Sequence, residues 1–238
     1  MMRIFFLATF SFFGLLAYNQ VQQDANLWTS VGLSADMTKQ ISLSYEMQSR
    51  FYKNATTIDA YYNELGISYE PIKNLDFSAD YRYSTKNKEG YFENVHRLCF
   101  NASYGTKFKD LGLSVKGRVR YQIPFDRFGV INDNVYPDSK NVVRFKAYAK
   151  YKHKDFKLIQ GVTSFEIYHA IRPKNTISAV DSYRFGAGIT IDLPKRHSID
   201  LYYILEREFK STPFINHIYG IQYNYDIFKN PYFEKNIE

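Results

Sequence analysis

The sequence contains one cysteine, Cys99, among its 238 residues. An intramolecular disulfide framework is therefore excluded, and so is a metal site made of several cysteine ligands. Beyond the N-terminus the sequence also lacks an apolar run long enough for a membrane-spanning helix, which needs about 20 consecutive apolar residues. The mean hydropathy of −0.40 is that of a polar chain. These absences exclude a helical membrane protein and a disulfide scaffold.

A basic cluster is missing as well, although the formal net charge is +7. The lysines and arginines are spread over the whole chain, without the basic arm or patch that is typical of proteins that bind nucleic acid. We therefore expect no nucleic-acid partner and interpret the charges as solvated or lumenal.

What the sequence does contain is alternation of apolar and polar residues. In Gln40 to Tyr52, QISLSYEMQSRFY, the apolar set is Ile41, Leu43, Tyr45, Met47 and Phe51, and the polar set is Ser42, Ser44, Glu46, Gln48 and Arg50. A β-strand places alternate side chains on opposite faces, so this segment is predicted to be a strand with one apolar and one polar face. An apolar period of 3.6 residues is absent after the N-terminal region.

The alternation recurs in ten or eleven segments of roughly 10–14 residues, a length typical of outer-membrane barrel strands. They start near Asn26, Gln40, Thr57, Leu75, Gly90, Leu111, Val142, Lys157, Asp181, Ser198 and His217. Short turns that each carry lysine (MTKQ, PIKN, KFKD, KHKD and PKRH) alternate with longer connections. In an outer-membrane barrel the short turns lie in the periplasm.

The composition of the two faces indicates which face meets lipid. The apolar face carries aromatic residues near the segment ends, including Tyr81, Tyr83, Tyr121, Tyr183 and Tyr225, as an interfacial girdle does. The other face mixes arginine with acidic residues, which suits an enclosed lumen where charges need partners. A lipocalin-like soluble barrel, the main rival, would need eight strands and an apolar interior. We predict a transmembrane antiparallel up-and-down β-barrel of about ten to twelve strands in the bacterial outer membrane.

The N-terminal residues have the composition of a signal for export from the cytoplasm. Arg3 precedes an apolar run of about 14 residues, Ile4 to Ala17, which suits a signal peptide and is short for a spanning helix. We predict a signal peptide over residues 1–23 with its cleavage site open, a barrel over 24–228 and a tail over 229–238. The segment 26–36 is left open: it either pairs and makes an odd barrel, lies in the lumen, or indicates a missed strand.

Two stretches carry a family resemblance. LWTSVGLSADMTKQISLSYEMQSRFYKN and YYNELGISYEPIKNLDFSADYRYS, with Trp28, Arg50 and the DYRY of Asp80 to Tyr83, resemble an uncharacterised bacterial family, a domain of unknown function grouped with outer-membrane β-barrels. The resemblance implies a fold and a location, and it implies no activity and no catalytic residues. The segment YGIQYNYDIF, ending at Phe228, resembles a C-terminal assembly signal, so we expect the barrel assembly machinery and outer-membrane lipid as partners.

The predicted inner face carries the candidate functional residues. The lumen basic wall is Lys116, Arg118, Arg120, Arg144, Lys146 and Lys150, and the lumen acidic side is Glu46, Glu64, Glu206, Glu208 and Asp226. Opposed charges across a pore favour polar solutes and set ion preference. We predict a narrow passive channel for small hydrophilic or anionic solutes. Alternatively, arginines of the basic wall pair with Glu206 and Glu208 and fill the lumen, which would leave a non-conducting scaffold that presents its long loops.

An enzymatic alternative rests on three histidines. His96, His169 and His217 are predicted to face outward near the long-loop end, where an outer-leaflet lipid would lie. A lipid hydrolase needs a nucleophile beside such a base, and Ser84 and Ser164 are predicted to face inward. We therefore expect no enzyme, no catalytic residue, no metal and no cofactor.

Overall fold

The alternating segments fold into eleven β-strands in the computed structural model of the chain. The structure describes residues 22–88, 91–128, 141–156, 158–171, 180–209 and 214–228, without the side chains of 125–128. The strands are β1 (Gln22–Asp36), β2 (Ile41–Tyr52), β3 (Thr57–Ile72), β4 (Leu75–Asn87), β5 (Phe92–Phe108), β6 (Leu113–Phe128), β7 (Asn141–Tyr151), β8 (Ile159–Ile171), β9 (Val180–Leu193), β10 (His197–Glu208) and β11 (Phe214–Phe228). Among the described residues, no helix has the length and apolarity needed to cross a membrane.

The strands close into one barrel in which each strand pairs antiparallel with its neighbours in the chain. The predicted antiparallel β-barrel is confirmed, with eleven strands. The segment 26–36, for which the sequence allows three placements, belongs to β1. This strand pairs antiparallel with β2 and parallel with β11. Because the strand number is odd, the closing pair has to be parallel.

The parallel closure places the start of β1 beside the long connections. There the Asp24 carboxylate accepts hydrogen bonds from the backbone N–H groups of Lys53 and Asn54, at 2.9 and 2.8 Å. The Ala55 N–H donates to the Ala25 carbonyl at 2.9 Å. These bonds satisfy the polar groups of a turn whose three residues 53–55 all have positive φ. The start of β1 is therefore fastened to the β2–β3 connection.

The barrel is apolar outside and polar inside. Outward side chains such as Leu65, Phe145 and Phe185 are 58%, 51% and 50% exposed, whereas the inward Arg120 is only 6% exposed. This distribution reverses that of a water-soluble domain, which buries its apolar residues and exposes its charges. The outer face therefore needs an apolar environment.

The short turns are also tied to one another. Two of them contain short 3₁₀ helices, Lys109–Leu111 and Pro194–Arg196. Gly112 follows the first with φ of 61°, and a Cβ atom there would collide with the Lys152 carbonyl oxygen. The Lys152 N–H donates to the Gly112 carbonyl at 2.9 Å, so glycine lets two neighbouring turns meet.

The described residues include only part of the predicted domain boundaries. Gln22 and Gln23, assigned to the end of the signal peptide, already belong to β1. Residues 1–21 and the predicted tail over 229–238 lie outside the described residues.

We predict that Ser34→Cys combined with Asp226→Cys, in a Cys99→Ala background, forms a disulfide across the β1–β11 seam. The two residues are register partners with hydrogen-bonded side chains, which fits the Cα separation of about 4.4–6.8 Å that a disulfide requires. Non-reducing electrophoresis after mild oxidation measures the cross-link. Ser34→Cys with Ser114→Cys, on strands that do not pair, is the control; a seam pair that behaves like this control contradicts the closed barrel.

Candidate functional site: a charged lumen

The inner face encloses a cavity of about 560 Å³. Its basic lining residues are Arg50, Arg82, Lys86, Arg97, Arg118, Arg120, Arg144, Lys146, Lys150 and Arg184, and its acidic lining residues are Glu46, Glu64, Glu166 and Asp200. Ten basic and four acidic side chains leave an excess of six positive charges on the lining. A concave surface with an excess of positive charge raises the local concentration of anions.

The basic wall lies on two paired strands. Arg118 is the register partner of Lys146, and Arg120 is the register partner of Arg144. Lys150 is exposed one residue before the end of β7. The remaining member of the wall, Lys116, approaches the Asp76 carboxylate at 3.9 Å. The other five residues of the wall line the cavity.

Arg120 is held by acidic residues of nearby strands. Its Nη2 atom lies 2.7 Å from Asp80 Oδ2 and 3.6 Å from Glu64 Oε1. The Asn101 side chain bridges the same pair, since its Nδ2 donates to Asp80 at 2.7 Å and its Oδ1 accepts from Arg120 Nε. The buried guanidinium is tolerated because the two carboxylates balance its charge and the Asn101 amide accepts from its Nε.

Arg144 and Arg118 share one carboxylate. Arg144 donates to Glu166 Oε1 through Nε at 3.0 Å and Nη2 at 2.7 Å. Arg118 Nη2 lies 3.7 Å from the same oxygen. Glu166 is 4% exposed, so it is a buried negative charge between two guanidinium groups.

The acidic side is dispersed over four strands. Glu46 and Glu64 line the cavity from β2 and β3. Glu206 accepts from Arg184 Nε at 2.8 Å, Glu208 accepts from Asn216 Nδ2 at 3.1 Å, and Asp226 accepts from Ser34 across the seam. In the described residues the arginines of the basic wall therefore pair with Asp80, Glu64 and Glu166 and not with Glu206 or Glu208. Acids and bases are interleaved between neighbouring strands.

A second feature of the lumen is a stack of guanidinium groups on aromatic rings. The Arg50 guanidinium carbon lies 3.7 Å from the ring centroid of Trp28 and 4.2 Å from that of Tyr62. Trp28 and Tyr62 are 8% and 6% exposed. A desolvated cation over an aromatic face gains up to about 2 kcal/mol.

The stack continues to the other side of the seam. The Arg184 guanidinium carbon lies 5.1 Å from the Trp28 centroid and 4.6 Å from the Tyr168 centroid. Arg144 lies 4.4 Å from the Tyr168 centroid. The resulting arginine–aromatic layer consists of Tyr62, Arg50, Trp28, Arg184, Tyr168 and Arg144 on β3, β2, β1, β9, β8 and β7.

The two halves of the lumen differ in filling. Between the layer and the long connections, the inward side chains are fully buried. They are Ala60, Val95, Ala170 and Ile218, each at most 2% exposed. Toward the short turns the inner positions of β1 to β4 carry small polar residues: Ser34, Ser42, Ser44, Ser68 and Ser78. These serines are half-buried or exposed, so the lumen widens toward the short turns.

The alternation of the strands does not predict this layer. In the sequence Trp28 carries only a family resemblance. The available signal was that Trp28, Tyr62 and Tyr168 occupy positions on the polar face of their strands. An aromatic residue at an inward position of a charged barrel indicates a guanidinium partner.

The outward histidines pair with tyrosines. His96 Nδ1 lies 2.6 Å from the Tyr81 hydroxyl, and His217 Nδ1 lies 2.7 Å from the Tyr203 hydroxyl. His169 lies on β8 beside the register partner Val143. The serines face inward, since Ser84 is 1% exposed and Ser164 lines the cavity. In the described part of the chain no group of three metal-ligating side chains converges.

Comparison with known families matches residues 25–216 to DUF2490, a protein of unknown function. The chain belongs to the DUF2490 family. Among solved structures, the translocator domain of the autotransporter NalP from Neisseria meningitidis is similar with a TM-score of 0.38 and 9% identity. That match covers 76% of this chain and 72% of the other. No curated protein matches the sequence.

We predict that Glu166→Gln lowers the free energy of unfolding by about 3–5 kcal/mol, because it leaves two guanidinium groups in the lumen without their shared counter-charge. Urea titration of the refolded protein, followed by fluorescence of the single tryptophan, measures the change. The control is Asp110→Asn in the exposed Lys109–Leu111 turn, expected within about 0.5 kcal/mol of the parent. Equal stability of the two variants would show that the shared carboxylate is dispensable.

Proposed function

We propose that this protein is a bacterial outer-membrane β-barrel whose lumen is a narrow passive channel for small hydrophilic solutes, with a preference for anions. The observation that carries this proposal is the cavity lining, which has ten basic and four acidic side chains inside a barrel that is apolar outside.

The membrane location is supported by the outer surface. The strands are 11 to 17 residues long, and about 9–11 residues cross a bilayer when tilted. Their outward side chains form a continuous apolar surface far larger than a soluble monomer exposes. Closure of the barrel pairs each of the eleven described strands on both sides, so among them no open sheet edge would face lipid. Under this proposal the short turns lie in the periplasm and the long connections outside the cell.

The arginine–aromatic layer supports a second candidate function. Its six side chains, together with buried residues such as Ile218, occupy the half of the lumen nearer the long connections. A barrel closed there would conduct no ions and would serve as a scaffold for its long loops. The two candidates differ in a single measurable property, the conductance of the folded protein.

We predict discrete current steps from the refolded protein in a planar bilayer. Under a KCl gradient, the sign of the reversal potential should show a preference for chloride over potassium. Lys146→Glu combined with Lys150→Glu should move the reversal potential toward cation preference, because it exchanges two positive charges of the lining for negative ones. Lys109→Glu combined with Lys154→Glu, in exposed short turns, is the matched control. Silence from protein shown to be folded by heat-modifiable gel mobility favours the scaffold.

We also predict that Trp28→Ala increases the single-channel conductance severalfold. Trp28 contacts the guanidinium groups of both Arg50 and Arg184, so its removal opens the middle of the layer. The same change should cost about 3–5 kcal/mol of stability, as buried aromatic truncations do. Trp28→Phe, which keeps an aromatic face, should conduct like the parent. If Trp28→Ala folds and its conductance stays at the parental value, the layer is not the constriction.

A further inference from the structure

The part of the lumen formed by β6 and β7 carries positive charge that its acidic neighbour does not balance. Glu166 Oε1 accepts two hydrogen bonds from Arg144, and Glu166 Oε2 accepts one from the Tyr168 hydroxyl at 3.1 Å. Arg118 approaches this occupied carboxylate only at 3.7 Å, which is too long for a hydrogen bond. A single negative charge thus serves two guanidinium groups.

Three basic side chains of this wall, Arg118, Lys146 and Lys150, line the same cavity. Arg118 Nε is buried and has no hydrogen-bond partner among the described residues. Within that part of the chain neither Lys146 nor Lys150 has an ion-pair partner within 4 Å. Lys146 is the register partner of Glu166, and its ammonium lies 5.9 Å from the Tyr148 ring centroid. Arg118 and Lys146 are half-buried and share the Glu166 carboxylate with Arg144, whereas Lys150 adds an exposed positive charge. One carboxylate does not balance these cations, so a further counter-charge would be stabilised here.

We propose that the lumen binds a small oxyanion with two or more negative charges, of the phosphate or pyrophosphate class, at Arg118, Lys146 and Lys150. A planar guanidinium offers paired donors to an oxyanion, and ammonium groups add charge without a fixed geometry. This inference rests on the polar lumen of the proposed function, whose ligand class it names, and it does not require conduction.

The geometry gives the direction of entry and limits the ligand size. Lys150 is exposed one residue before the short-turn end of β7. The arginine–aromatic layer and the buried residues beyond it narrow the opposite half of the lumen, where the cavity reaches Lys86. The cavity of about 560 Å³ accommodates an oxyanion with several waters, each of which needs about 30 Å³. The ligand is therefore a free solute entering from the short-turn side, since the outer lipid-facing surface is separate from this cavity.

The test is titration calorimetry of the refolded protein in neutral detergent with inorganic pyrophosphate, inorganic phosphate and glucose. We expect saturable binding of pyrophosphate, weaker binding of phosphate and none of glucose, because the wall recognises charge. Lys146→Gln and Arg118→Gln should each weaken pyrophosphate binding about tenfold, the effect of losing one charge-assisted hydrogen bond. Lys146→Arg should retain binding, and Lys109→Gln in an exposed turn is the matched control.

The outcomes separate this site from the channel. Absence of saturable pyrophosphate binding by folded protein, or equal loss in Lys109→Gln, overturns the site. If Arg118→Gln does not fold, Lys150→Gln, at an exposed position, supplies the same test and should also weaken binding. Binding without current steps supports the site and overturns the channel, whereas current steps without binding support the channel and overturn the site.

Discussion

The structure depends on one constraint, which is that a charge buried on the inner face of a closed barrel is costly unless a nearby inner-face group of opposite charge pairs with it. Alternation sends the apolar residues outward and leaves the inner face polar. Arg120 is neutralised by Asp80 and Glu64, and Arg144 by Glu166, on strands one to three positions away around the barrel. These pairs connect neighbouring strands across the lumen. Removal of one partner would leave the other charge buried and unpaired, which is strongly destabilising.

The side chains that line the lumen differ between its two ends along the barrel axis. This difference determines where a solute could pass and where an anion could bind. One half of the lumen is filled by guanidinium groups stacked on Trp28, Tyr62 and Tyr168. The other half keeps small side chains, and the positively charged cavity extends from Lys150 near the short turns past the layer to Lys86. A channel would have its constriction in the first half, and an anion would reside in the second half. Both proposals therefore use one asymmetric lumen.

The odd strand number has its own consequence for the seam. A parallel pair forms evenly spaced, slanted hydrogen bonds and is slightly less stable than an antiparallel pair. Inner-face contacts add to this seam at both ends, where the Asn26 and Asn216 amides lie 2.9 Å apart and Ser34 donates to Asp226. Trp28, in the same strand, connects the seam to the arginine–aromatic layer through Arg184.

The sequence alone determined the strands and their two faces, because a period of two residues is a local property of the chain. The predicted start at Thr57 coincides with that of β3. The inward positions of Lys146, which lines the cavity, and of Glu206, which is buried against Arg184, follow from the same alternation. The tertiary structure decided the partners. That Arg118 shares Glu166 with Arg144, that Trp28 joins Arg50 to Arg184, and that β1 closes against β11 all depend on which strands become neighbours and how far side chains reach. Those distances exist only after closure of the barrel brings together residues far apart in the chain.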